Sequence, residues 1–110
     1  MKKVNSIKEI EEIIDKEKMT LLFFSDNMWS NCLGFGPKLK NLLKRYPKIT
    51  SLEIDINKNI DLRGKYLIYV APTIILFIHG KETIKLSKFI SMDILEEKIK
   101  RYYNMIFDKK

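Results

Sequence analysis

Met28-Trp29-Ser30-Asn31-Cys32-Leu33-Gly34-Phe35-Gly36-Pro37 follows the apolar run Leu21-Leu22-Phe23-Phe24 and leads into Lys38-Leu39-Lys40-Asn41-Leu42-Leu43. The run before it is short and apolar on both faces, as a strand covered by helices on both sides must be. Behind it, Leu39, Leu42 and Leu43 share one face of a helix. The quoted stretch is therefore a strand-to-helix junction, and it holds the only Cys and the only Trp of the chain. The N–H groups and dipole of a helix start favour an anion such as a thiolate. Cys32 is accordingly the candidate nucleophile.

Working outward, residues 5–18 read as a helix with Ile7, Ile10, Ile13 and Ile14 on one face. Ser6 and Glu9 have capping-box spacing, so hydroxyl and carboxylate can each satisfy a first-turn N–H. Lys2–Val4 fits a short edge strand before it. Residues 20–25 form the central apolar strand, and the helix after the junction runs from about Ser30 to Tyr46, where Pro47 ends it. Pro37 removes one N–H inside that helix. Residues 50–56 alternate, with Leu52, Ile54 and Ile56 on the buried face of a half-exposed strand. A short helix over 59–67 precedes a buried strand at 73–78. His79-Gly80-Lys81 turns that strand into a second one at 82–87. A last helix, about 91–106, has Ser91 as N-cap and Ile94, Leu95, Ile99, Tyr102, Tyr103 and Ile106 as its apolar stripe. Glu96 and Lys100 are spaced for a weak i, i+4 surface pair. The βαβ portion demands parallel strands, and the closing hairpin demands antiparallel ones.

The 110 residues suit one domain, spanning 1–110, with 45% hydrophobic and 32% charged residues excluding a disordered chain. The longest apolar runs, such as Ile74–Ile78, are too short to cross a bilayer. Charged residues at Lys8, Glu9, Glu11 and Glu12 interrupt any signal core after Met1-Lys2-Lys3, so a cytoplasmic protein is expected. The net charge is +7, but 18 of the 21 basic residues are scattered Lys. Only Arg45, Arg63 and Arg101 offer bidentate readout, and no nucleic-acid or membrane partner is expected. One Cys excludes an intrachain disulfide and a Cys-based zinc cage, and His79 sits in a turn. Glu53, Asp55 and Asp61 lack metal-ligand spacing, and Gly34 and Gly36 do not match a phosphate loop. No metal or cofactor is expected.

The element order and four landmarks together resemble the thioredoxin family over nearly the whole chain. Leu21-Leu22-Phe23-Phe24 resembles that family's central strand. Cys32, followed five residues later by Pro37, matches the second cysteine of its Cys-x-x-Cys and the downstream helix proline. Val70-Ala71-Pro72-Thr73 resembles its cis-proline loop, and Leu76-Phe77-Ile78-His79-Gly80-Lys81 its hairpin with the turn glycine. The resemblance implies a three-layer α/β/α sandwich with a mixed four- to five-stranded sheet, a C-terminal β-hairpin and a closing helix. It implies a cis Ala71–Pro72 bond beside the site. It also implies a groove in which backbone near Ala71 can hold an extended segment; Trp29 then either caps Cys32 and closes the loop or supplies an aromatic anchor at the rim.

The departures bear on function. The two-cysteine motif falls on Trp29-Ser30-Asn31-Cys32, so Trp29 replaces the attacking cysteine and Cys32 keeps the resolving position. Phe23 occupies the strand position where the family has a buried acid, and an aromatic ring accepts no proton. A second register, with Cys32 as the first cysteine of a Cys-x-x-Phe site, requires an insertion and a matching deletion. Dithiol cycling needs two thiols, one to form a mixed disulfide and one to resolve it. What remains is single-thiol exchange through Cys32, resolved by glutathione or another external thiol, with Lys38 helping the thiolate if it is near. The alternative is a non-catalytic module that binds a protein or peptide through Trp29 and the Pro72 loop. Met28 and Phe35 either extend that apolar patch or fold into the core. The sequence leaves open whether the chain is an enzyme.

Overall fold

A computed structural model of the chain describes the backbone of residues 1–26 and 30–107 and the side chains of residues 1–26 and 34–107. The elements follow in the order β1 (Lys2–Lys3), α1 (Ile7–Lys16), β2 (Met19–Ser25), α2 (Ser30–Leu43), β3 (Thr50–Asp55), α3 (Ile60–Lys65), β4 (Thr73–Ile78), β5 (Lys81–Ser87) and α4 (Met92–Phe107). One sheet runs β1-β3-β2-β4-β5. β3 is parallel to β1 and β2, whereas β4 is antiparallel to both β2 and β5. This is the mixed sheet that the βαβ pattern and the hairpin demanded.

Every residue of β2 is buried, because the sheet is covered on both faces. Met19, Leu21 and Phe23 meet α2 and α4 through Leu39, Leu42, Leu95 and Ile99. Leu22 and Phe24 meet α1 and α3 through Ile10, Ile14 and Leu62. The result is an α/β sandwich of three layers. The hairpin turns at His79 (φ 49°) and Gly80 (φ 81°), the two positive φ values of a two-residue loop that follows the twist of its strands. His79 is exposed, and its N–H donates to the Lys18 carbonyl at 2.9 Å.

Several local expectations change in the folded chain. Ser6 accepts the Glu9 N–H at 3.2 Å, but the Glu9 carboxylate turns to the Lys2 ammonium at 3.1 Å rather than completing the capping box. Ile94 is 52% exposed. It lies one residue before the Leu95–Ile99 line, hence about 100° around the helix, on the side of Lys98 and Arg101. The exposed face expected of β3 is covered at Glu53, which is buried and accepts the Ser25 hydroxyl at 3.1 Å.

Glu96 also finds a partner other than Lys100. Arg45, just past α2, binds its carboxylate with two N–H groups, at 2.7 and 3.0 Å, and the Tyr46 hydroxyl donates at 2.9 Å. A bidentate guanidinium outcompetes a flexible ammonium on the same helix. Hydrogen bonds from Arg45 first and Tyr46 second hold the Glu96 carboxyl below its ordinary value, with Lys100 the smallest contributor. A carboxyl lowered in the fold contributes stability above its unfolded pKa and loses it as pH falls through the folded one. Arg45→Met is therefore expected to lower the melting temperature by a few degrees near neutral pH, and the difference should fade below about pH 4. Thermal melts across that range check it, and a deficit that persists unchanged in acid overturns it.

Candidate functional site

The site is built at the end of β2. Burial of both faces fixes that strand in the middle of the sheet, and parallel pairing with β3 forces the chain to cross over through α2. Helix α2 begins at Ser30, so Cys32 is its third residue. The first four N–H groups of a helix have no partner within it, which places Cys32 on the electropositive end. Trp29 and the Cys32 side chain lie outside the described residues, as does Met28.

The floor under this helix start is apolar. Phe23 is 1% exposed and its ring lies 5.6 Å from that of Phe35, centroid to centroid. Of the two roles open to Phe35, it takes the core one, at 8% exposed. Two carboxylates are buried nearby in sequence and sheet register. Asp26 follows β2 directly and accepts the Asn57 amide at 2.8 Å. Glu53 pairs in register with Phe23 and holds the Ser25 hydroxyl. Sequence alternation assigned Glu53 to solvent, and the signal that would have corrected it is the crossover helix required by a parallel pair.

The Ala71–Pro72 peptide bond is cis. Pro72 is buried and Ala71 half-buried. The loop is fixed from both sides: the Thr73 hydroxyl donates to the Val70 carbonyl at 2.7 Å, and the Lys88 N–H donates to the Pro72 carbonyl at 2.8 Å. Ala71 is engaged within the fold as well. Pro72 and Phe35 line one shallow groove of about 320 Å³ together with Lys88, Phe89, Ile90 and Ser91. The structure thus brings the proline loop beside the first turns of the helix that carries Cys32, Phe35 being three residues beyond it. Lys38 lines a different cleft, between α2 and α4, with Arg45, Asp93 and Glu96.

Sequence reading missed the far wall of the groove. Phe89 carries no periodic signal in Lys88-Phe89-Ile90 to single it out, yet it is 83% exposed. Lys88 has φ 71°, which nothing in a lysine announces. Among the described residues no group of three or more His, Cys, Asp or Glu is placed to hold a metal, and no helix is long and apolar enough to cross a membrane.

Comparison with known proteins agrees with this geometry. The thioredoxin family model matches residues 2–101. The thioredoxin-like protein YdfQ of Bacillus subtilis is 27% identical over 102 residues, covering 93% of this chain and 91% of that protein. The thioredoxin of Mycoplasmoides gallisepticum is 25% identical over 100 residues, covering 91% of this chain and 100% of its own. The solved structure of Plasmodium falciparum thioredoxin superposes with a TM-score of 0.85 at 22% identity, over 93% of this chain and 99% of that one. By the match of that family model to nearly all of its length, the chain belongs to the thioredoxin family.

Proposed function

We propose that this protein performs single-thiol exchange through Cys32 at a degenerate thioredoxin site. The Cys32 thiolate attacks one sulfur of a partner disulfide. A new S–S bond joins Cys32 to the partner, and the other partner sulfur leaves as a thiolate with the bonding electron pair. A thiolate from outside, glutathione or a protein thiol, then attacks the partner's sulfur and displaces Cys32 as thiolate. The chain is neither oxidised nor reduced over the cycle, because the external thiol carries the electrons. The groove formed by Phe35, Pro72 and Phe89 seats the partner segment.

The observation that carries this reading is the position of the chain's single thiol, in the first turn of the helix after β2 in a thioredoxin-family fold. Phe23 in place of an acid supports exchange over a full dithiol cycle, since nothing at that position takes a proton. A reducing compartment suits a lone free thiol, and we place the exchange in the cytoplasm on that ground.

The test is alkylation of Cys32 as a function of pH, alongside incubation with glutathione disulfide followed by mass spectrometry. The expected thiol pKa lies below the free value of about 8.5. One glutathione should add per chain, and Cys32→Ser should add none. Insulin reduction by the chain alone should stay at background. A thiol that titrates at or above the free value and forms no mixed disulfide overturns the proposal and leaves a binding protein.

A further inference from the structure

We propose that Lys88 and Phe89 form a reading pair, which selects partner segments that carry an acidic side chain next to a bulky apolar one. This deepens the exchange reading by naming its substrate class, and it rests on the groove being the partner's seat.

Two unfavourable choices sit side by side here. Lys88 holds φ 71°, a backbone conformation that glycine adopts freely and lysine does not. Phe89 leaves 83% of its surface in water. Neither is explained by packing. Such outliers persist where they serve a surface, and together they cluster on the rim of one groove. The two walls of the groove are joined at this point, where the Lys88 N–H donates to the Pro72 carbonyl at 2.8 Å. Apolar exposure continues on the near side of Pro72, where Tyr69 is 75% and Val70 39% exposed.

The chemistry of the occupant follows from size and charge. About 320 Å³ is at the small end of ligand sites, which run from roughly 300 to 1,000 Å³. It admits one large side chain of an extended segment rather than a cofactor. Phe35, Pro72, Phe89 and Ile90 make its lining apolar. Among the described residues the only charged one in the lining is Lys88, whose ammonium lies 5.5 Å from the Phe89 ring centroid. Among the described residues no carboxylate pairs with it. The cation is therefore available to a partner's carboxylate, while the ring meets the apolar neighbour. The net charge of +7 attracts an acidic partner from a distance as well.

The test uses two short cysteine peptides, identical except that aspartate or lysine follows a phenylalanine next to the cysteine. Each is activated as a disulfide with thionitrobenzoate. Attack by the Cys32 thiolate on the peptide sulfur joins peptide to protein and releases the coloured thionitrobenzoate anion, so no other reactant is needed. At low salt the aspartate peptide should react about fivefold faster, the scale of one exposed ion pair, and salt should shrink the gap. Lys88→Glu should reverse the order. Lys88→Gly should narrow the gap between the two peptides while raising the melting temperature, opposite effects that a purely structural lysine would not give. Phe89→Ser should slow both peptides. Each variant's peptide rates are read relative to its own rate with hydroxyethyl disulfide, a small neutral disulfide with neither ring nor charge, so that any change in the thiol itself cancels. Equal peptide rates in the wild type, or an unchanged preference in Lys88→Glu, overturn the proposal. If hydroxyethyl disulfide itself fails to modify Cys32, the exchange reading falls separately. The pair is then judged by fluorescence anisotropy of labelled peptides with serine for cysteine: tighter binding of the aspartate peptide upholds it, and equal binding overturns it.

Discussion

Replacing Trp29 by Cys is expected to turn a single-thiol exchanger into a chain that reduces insulin with dithiothreitol as electron source. The new thiol would sit immediately before α2 and three residues ahead of Cys32. A mixed disulfide formed at either sulfur would then be resolved from within the chain. Effective concentrations for short connections are on the order of millimolar, so resolution should be on the order of a thousandfold faster than with micromolar external thiol. Insulin turbidity measures the gain, and mass spectrometry of the oxidised variant should show two hydrogens lost. Absolute rates should still be modest, because Phe23 remains where an acid would assist proton transfer. Phe35→Cys is the matching experiment for the rival register. Phe35 is core, packed on Phe23, so that variant should lose packing without gaining a cycle. Activity in Phe35→Cys and none in Trp29→Cys would reverse the register.

The largest expected effect on stability belongs to Phe23→Ala. Phe23 is 1% exposed at the centre of the middle strand, with the Phe35 ring against it. Truncating a buried Phe costs about 3–5 kcal/mol, from lost transfer energy and the cavity left behind. Domains of this size are stable by roughly 5–15 kcal/mol, so the loss is a large fraction of the whole. Urea unfolding should show a much lower midpoint with little change in slope. A loss below about 1 kcal/mol would mean that the cavity collapses, or that Phe23 is less tightly packed than its burial indicates.

The sequence revealed what depends on local period and punctuation. The order of elements, the parallel βαβ pair, the antiparallel closing hairpin and the turn after Ile78 were readable, because each follows from alternation, helical spacing or a residue with a restricted backbone, whereas the cis-proline loop came from the family resemblance. What depends on distant partners was not. Glu96 looks like half of a pair with Lys100 until α2 and α4 bring Arg45 to it across the fold. Glu53 reads as a solvent-facing strand residue until Ser25 and the crossover helix enclose it. At the site, the sequence placed Cys32 at a helix start and Pro72 in its loop. It did not show Lys88 and Phe89, since a positive φ at lysine and an outward-facing Phe leave no periodic trace.

The position of β2 also bears on how the chain is made. Its parallel partner is complete at Asp55, whereas its other edge waits for Thr73–Ile78. At synthesis rates of roughly 5–20 residues per second, that edge stays open for about one to four seconds. During this interval the strand whose residues are all buried in the finished fold is unpaired on one side, a template for association with neighbouring chains. The lysine-rich β5 arrives directly after β4 and becomes the new edge, with Lys81, Glu82, Thr83 and Lys85 turned to water. The finished sheet thus ends in charge where the growing one ended in hydrocarbon, and the vulnerable stage belongs to the nascent chain.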